Sequence, residues 1–216
     1  MSDNPFARVE TWVFDLDDTL YPATLRLGRQ INERITRYIM ETLAVGRPQA
    51  ERLREQYFRD HGITLSGLIA EHDVDPDHYL DAVHAIDLSA LHPQPDLVRA
   101  LKRLPGRRIV HTNGSRAHAA RVLERTGLAE VIDAVYAIED KGLVPKPAEE
   151  AYARIIAADG YDPARAAMVE DKAENLRVPK ALGMATVWLC HEDGATAPAH
   201  VDRRITSLAR FLADPR

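Results

Sequence analysis

In the segment WVFDLDDTLYP, Asp15, Asp17 and Asp18 place three carboxylates within four positions, directly behind the apolar run Trp12 to Phe14. The run has the composition of a buried strand, and acids desolvated at its end without partners would be strongly unfavourable. Compensating charge must come from elsewhere. Lys146 in GLVPKPAEE can supply part of it and a bound cation the rest, with Glu170 and Asp171 in MVEDKAEN as further acids to hold that cation and Thr112, Asn113 and Gly114 in RRIVHTNG as neutral hydrogen-bonding groups. Carboxylates of Asp15, the Asp17 region and Asp171 form a hard-oxygen set suited to Mg²⁺, which takes carboxylates plus several retained waters in an octahedron. Lys146 adds positive charge, and two unit charges about 4 Å apart interact by roughly 4 kcal/mol at an effective dielectric of about 20. With a cation on the acids, such a set is built to receive an anion, a phosphate above all.

These residues need elements that bring them together. Strand-like runs occur at Trp12 to Phe14, Ile109 to Val110, Ala134 to Ile138, Ala166 to Val169 and Ala185 to Leu189. From the second onward they alternate with helical patterns at Arg116 to Arg125, Ala148 to Ala158 and Ala173 to Leu182, each closed by a nearby glycine. That rhythm predicts an α/β fold, a Rossmann-like parallel sheet with helices on both faces, whose ligands bind beyond the carboxyl ends of the strands. Asp15 and Asp17 follow the first strand, Thr112 and Asn113 the second, and Glu170 with Asp171 the fourth. Lys146 lies in the loop after the third, so four connections converge on one rim. The stretch 23–90 breaks the rhythm: Leu27, Ile31, Ile35, Ile39 and Leu43 recur every four residues, and no convincing strand appears. It reads as an inserted helical module that returns to the core (1–22 and 91–216) through the turn-rich Leu91 to Asp96.

Composition narrows the function classes. A chain of 216 residues with 45% hydrophobic and 28% charged residues has the make-up of an ordinary globular protein. A net charge of −5 argues against a sequence-independent grip on a nucleic acid polymer. The single cysteine, Cys190, excludes an intramolecular disulfide and a thiolate metal cluster. The start, MSDNPFARVE, shows no basic flank with an apolar run behind it, and no stretch reaches the roughly 18 apolar residues of a membrane span. A cytoplasmic setting with no membrane partner is the expectation; oligomeric state is left open. The nine histidines show no zinc spacing and are expected in structural or surface roles. His111, at a strand position usually apolar, is expected to be buried and hydrogen-bonded.

Asp15-Leu16-Asp17-Asp18-Thr19, then Thr112-Asn113-Gly114, then Lys146-Pro147, then Glu170-Asp171 with Asn175 resembles the four ordered motifs of the haloacid dehalogenase superfamily of phosphohydrolases. The insertion 23–90 holds the position of that superfamily's helical cap. FDLDDTLYP together with GITLSGLIAEHDVDPDHYLDAVHAIDLSALHPQPDL is similar to the pyrimidine 5'-nucleotidase branch. The resemblance implies that Asp15 is the nucleophile, forming an aspartyl-phosphate, and that Asp17 is the acid and base. It implies that Thr112, Asn113 and backbone N–H groups near Gly114 hold phosphate oxygens while Lys146 neutralises the transferring group. Mg²⁺ would be bound by Asp15, the Asp17 carbonyl and Asp171, with Glu170 acting through water. Lys172 departs from the serine many relatives carry, which bears on the metal loop. His84, Asp87 and Tyr21 are candidate substrate contacts.

The leading expectation is a Mg²⁺-dependent phosphomonoesterase acting on a nucleoside 5'-monophosphate, a pyrimidine one on resemblance alone. A phosphatase for another small ester, such as a sugar phosphate, is the nearest alternative. A dehalogenase is disfavoured because hydrolysis of a carbon ester needs no acid at the second position, where Asp17 stands. A phosphomutase would have to retain and reorient its intermediate. A non-hydrolytic phospho-accepting signalling domain groups similar residues, but there lysine comes last, whereas Lys146 precedes Glu170 and Asp171. A catalytically dead binder would be expected to lack Asp15 or Asp17.

Overall fold

The computed structural model describes residues 4–192 and 194–213. The first three residues of MSDNPFARVE, on which the expectation about the chain start partly rests, lie outside them. The chain divides into two compact units, 24–90 on one side and 1–23 with 91–216 on the other.

Unit 24–90 is helical, with α1 (Leu27–Leu43), α2 (Arg47–His61), α3 (Thr64–His72) and α4 (Pro76–His84). Its packing is tight where α2 meets α3. A Cβ on Gly67 would fall 2.4 Å from the Tyr57 ring, so only glycine lets α3 lie against that side chain. Asp75 caps α4 by accepting from the backbone of Asp77 and His78, with Pro76 at the first helical position.

Among the described residues, the other unit holds six strands: β1 (Thr11–Phe14), β2 (Arg107–His111), β3 (Ala134–Tyr136), β4 (Ala166–Glu170), β5 (Ala185–Leu189) and β6 (Arg203–Ile205). They form a parallel sheet in the order β3-β2-β1-β4-β5-β6, flanked by α5 (Pro95–Arg103), α6 (Arg116–Thr126), α7 (Glu149–Asp159), α8 (Arg177–Ala181) and α9 (Leu208–Ala213). This is the Rossmann-like α/β sheet the alternation predicts. β1 and β4 are buried at every position, as strands of a doubly covered parallel sheet must be. Val13 pairs with Ile109 and Met168 in register and packs with Tyr152, Ile155, Leu176 and Met184. Each such aliphatic side chain removed from water contributes about 1.5–3 kcal/mol.

Three elements differ from expectation. The segment Leu91 to Asp96 is only partly a turn, because Pro95 occupies the first position of α5, which buries Leu97, Ala100 and Leu101 on one face. The expected helix Ala173 to Leu182 is a 3-10 turn, Ala173–Leu176, followed by α8. A continuous helix from Ala173 would need the N–H that Pro179 lacks, whereas a start at Arg177 puts Pro179 among the first positions, whose N–H groups have no intrahelical acceptor. Strand β6 carries no apolar signature in Arg203 and Arg204; Asp202, just before it, anchors it to β5. Among the described residues, no helix is long and apolar enough to cross a membrane.

Candidate active site

The register of the sheet decides which side chains share a rim. β1, β2 and β4 run parallel and in step, so the residues that follow their last positions lie side by side. Asp15 comes directly after β1, and its backbone N–H extends the ladder to the Val169 carbonyl at 2.9 Å. Thr112 comes directly after β2. Glu170 ends β4, and Asp171 follows it.

Lys146 reaches this rim from the loop after β3 and organises it. Its ammonium donates to Asp15 Oδ1 at 2.6 Å, to Glu170 Oε2 at 2.7 Å and to the His111 carbonyl at 2.9 Å. All three donors of the ammonium are thereby used. Lys146, Asp15 and Glu170 are buried at 3%, 6% and 1% exposure, so the pairs are desolvated and persist only because they are matched. Two carboxylates on one ammonium leave the balance negative. Burial, and next the charge of Glu170, push the Asp15 carboxyl up to about 7, although Lys146 opposes the shift. Glu170 and Asp171 are also raised, chiefly by burial. Lys146 moves the other way from a neutral amine: burial alone would favour loss of its proton, but Asp15 and Glu170 hold it charged.

The oxygens of Asp15, Glu170 and Asp171 lie within 4.8 Å of one another. An all-carboxylate donor set of that size, with Asp15 and Glu170 buried and Asp171 partly so, and with excess negative charge, fits a hard divalent cation such as Mg²⁺ and offers nothing to a soft one. Its loop is held from behind by side-chain hydrogen bonds to its carbonyls. Trp188 Nε1 donates to the Asp171 carbonyl at 2.8 Å, Tyr152 Oη to the Asn175 carbonyl at 2.6 Å, and the His200 ring meets the Ala173 carbonyl at 2.8 Å. The Lys172 backbone N–H lies 3.4 Å from Glu170 Oε1, so the non-serine residue keeps a main-chain contact to the acid pair.

Asp17 lies at the start of the loop after β1 and accepts two hydrogen-bonding groups on one oxygen. Tyr21 Oη donates to Asp17 Oδ1 at 2.6 Å, and His118 Nε2 lies 2.7 Å from the same atom. Burial, and then Asp17 itself, keep the Tyr21 phenol protonated far above its usual range. Tyr21, a candidate substrate contact by sequence, therefore sits against an acid of the site. Thr112 Oγ1 accepts from the Gly114 N–H at 2.9 Å, and a Cβ on Gly114 would fall 3.3 Å from both Thr112 Oγ1 and Asp17 Oδ2. Asn113 turns its side chain to the Lys146 segment: Oδ1 accepts from the Lys146 N–H at 2.8 Å and Nδ2 donates to the Lys146 carbonyl at 3.1 Å.

Two residues of this region went unnoticed in the sequence. Lys141 is fully buried and donates to the Thr112 carbonyl and to Asn113 Oδ1, both at 2.8 Å. Burial, followed by the charge of Lys146, pushes its pKa well below the lysine range. For His118 the sequence predicts a structural or surface role, as for the other histidines; the signal that distinguishes it is its place three residues after Ser115, the cap of the helix that leaves the Thr112 loop. His111 is a correction. It is buried, but neither ring nitrogen has a hydrogen-bond partner among the described residues. The ring packs edge-on against Tyr152 at 5.0 Å, and burial together with the nearby Lys141 and Lys146 charges keeps it neutral. His84 and Asp87 make local contacts in unit 24–90: His84 Nδ1 to the Leu80 carbonyl at 3.0 Å, and Asp87 accepting from Ser89 N and Oγ at 2.8 Å each.

The family model for haloacid dehalogenase-like hydrolases matches residues 9–183, which is most of the chain. The chain belongs to that family. This haloacid dehalogenase-like hydrolase is 25% identical over 202 residues to "Phosphate metabolism protein 8" of Saccharomyces cerevisiae, an alignment covering 85% of this chain and 62% of that protein's length. The hydrolase also resembles solved structures at the level of fold. YfnB from Bacillus subtilis, bound to magnesium, has a TM-score of 0.60 at 17% identity, covering 94% of this chain and 97% of that one. A mutant of CbbY from Rhodobacter sphaeroides, in complex with xylulose-(1,5)-bisphosphate, has a TM-score of 0.63 at 20% identity, covering 95% and 96%.

Proposed function

We propose that the chain is a Mg²⁺-dependent phosphomonoesterase that works through an aspartyl-phosphate on Asp15 and acts on nucleoside 5'-monophosphates. The observation that carries this reading is the pairing of Asp15, held by Lys146 beside Glu170 and Asp171, with a second acid, Asp17, whose Oδ2 lies beside Gly114 and Thr112. A hydrolase that forms an alkyl ester on its aspartate has no need of that second acid.

Asp15 supplies the carboxylate oxygen that bonds to phosphorus as the bond from phosphorus to the leaving oxygen breaks. Asp17 gives its proton to that oxygen, which departs as an alcohol, and then takes a proton from the water that attacks phosphorus and frees Asp15. Lys146 keeps the nucleophile in place and offsets charge on the transferring group. Thr112 and the backbone at Gly114 form the floor for phosphate oxygens, and Asn113 with Lys141 holds the Lys146 segment against it. Mg²⁺ on Asp15, Asp171 and the Asp17 carbonyl, with Glu170 behind, would screen the carboxylates from a phosphate dianion. A relative named for phosphate metabolism and a fold neighbour carrying magnesium support this reading.

Unit 24–90 is assigned the choice of leaving group, because it occupies the family's cap position in chain order. Pyrimidine nucleotides are favoured by its resemblance to that nucleotidase branch. The sugar bisphosphate on the CbbY neighbour favours sugar phosphates as the second reading. A screen of inorganic phosphate release across nucleoside 5'-monophosphates and sugar phosphates with Mg²⁺ decides between them. Highest kcat/KM on pyrimidine nucleotides is expected, and absence of release from every ester would overturn the phosphatase assignment.

A further inference from the structure

The acid and base role proposed for Asp17 requires one carboxyl oxygen to carry a proton toward the phosphate, and the geometry points to how that oxygen is chosen. We propose that Tyr21 and His118 are positioning residues that occupy Oδ1 of Asp17 and so place its transferable proton on Oδ2. The inference rests on the reading of Asp17 given above and goes beyond it, since the resemblance gives Tyr21, in FDLDDTLYP, no role except a candidate substrate contact, and His118 lies outside the motifs quoted from the sequence.

A carboxyl oxygen has two lone-pair directions. On Oδ1 of Asp17 one receives the Tyr21 hydroxyl at 2.6 Å and the other faces His118 Nε2 at 2.7 Å. A tyrosine hydroxyl that donates to Oδ1 leaves that atom an acceptor, and with His118 as the Nε2–H tautomer both directions are filled by donors. The proton that Asp17 carries as an acid then belongs on Oδ2, which lies on the side of Gly114 and Thr112. Gly114 matters here for space: a Cβ would press on Asp17 Oδ2, Thr112 Oγ1 and the His118 ring at 3.2–3.3 Å. The two groups come from different elements. Tyr21 is buried four residues beyond Asp17 in the same loop. His118 is fully buried at the start of α6, where its backbone N–H is capped by Ser115 Oγ at 3.2 Å. With both elements held in place, the Asp17 carboxyl cannot rotate to exchange its oxygens without losing two short hydrogen bonds.

Two measurements test this. In protein labelled with ¹⁵N-histidine, Nε2 of His118 should be the protonated nitrogen of a neutral ring or of an imidazolium. A neutral ring bearing its proton only on Nδ1 would make Oδ1 the protonated oxygen and overturn the inference. In single-turnover kinetics, Tyr21→Phe and His118→Asn should each slow the first step at least about 10-fold with a nucleoside 5'-monophosphate but under about 3-fold with p-nitrophenyl phosphate, whose leaving group needs little protonation. Placed in an Asp17→Asn background, Tyr21→Phe should add less than about 2-fold, because the proton it positions is gone. Tyr21→Phe removes only a hydroxyl and keeps the test open where His118→Asn does not fold. A contrast between substrates that persists in Asp17→Asn but is absent from Tyr21→Phe overturns the positioning role alone. Absence of the contrast in Asp17→Asn overturns the acid role itself.

Discussion

Lys146 shows how a single residue sets the chemistry around it. Its three donors end on Asp15, Glu170 and the His111 carbonyl, so removing it strands two buried carboxylates. Lys146→Met is expected to lose turnover and, in chelator, to destabilise the fold by about 3–5 kcal/mol in urea unfolding, the scale for breaking a buried pair from one side. Asp15→Asn should behave differently. An amide is a poor nucleophile, so single-turnover phosphate release should fall by at least about 10⁴-fold. Burial and the neighbouring Glu170 charge already disfavour an ionised Asp15, so its thermal midpoint in chelator should be no lower than that of the wild type. A clear drop in that midpoint would show that Lys146 needs both carboxylates to stay folded in place.

Among the elements, the edge strand β6 depends on side chains more than on its own sequence. Asp202 Oδ2 accepts from Thr186 N at 2.9 Å and Thr186 Oγ1 at 3.1 Å, and Oδ1 accepts from Lys180 at 2.5 Å. These contacts tie the start of β6 to β5 and α8. Burial alone would raise the Asp202 carboxyl, but the Lys180 and Thr186 hydrogen bonds outweigh it and hold the folded value below the ordinary one. A depressed carboxylate contributes stability that is present above the unfolded pKa of about 3.9 and is lost as pH falls through the folded value. Asp202→Asn should therefore cost about 1–2 kcal/mol near neutral pH, the low end because the pair is partly open to water. That deficit should shrink as unfolding is measured below about pH 4, and a constant deficit down to pH 3 would contradict the linkage.

At the scale of the whole molecule, the question is how an overall acidic chain receives an anion. The net charge of −5 repels a phosphate, and the buried Asp15, Glu170 and Asp171 add to that locally. The divalent cation proposed above would resolve the conflict, and because only the folded chain assembles the three acids, it should also stabilise the fold. Mg²⁺ at about one hundred times its Kd should add about 2.7 kcal/mol, visible as a raised thermal midpoint. Asp171→Asn should remove most of that rise. EDTA should stop turnover, Mg²⁺ should restore it, and Ca²⁺ should do so poorly because it takes more ligands at longer distances. Full turnover in chelator would contradict the metal assignment.

The apolar runs and their order were enough to determine a parallel sheet and the strand ends that carry Asp15, Thr112 and Glu170, since strand composition and chain order are local properties. The four-residue recurrence of Leu27, Ile31, Ile35, Ile39 and Leu43 likewise identified 23–90 as helical, because periodicity too is a local property. Side-chain direction beyond the strand ends was not legible. Asn113 turns to the Lys146 segment, His111 has two ring nitrogens without hydrogen-bond partners among the described residues, and the buried Lys141 lies in a turn that reads as surface. The meeting of Asp17 with His118, 101 residues apart, was invisible as well. Periodicity reports whether a position faces water, whereas a hydrogen bond between distant residues depends on ångström-scale placement of packed elements. That placement comes from the summed packing of β1, β2 and α6, and no single stretch of sequence encodes it.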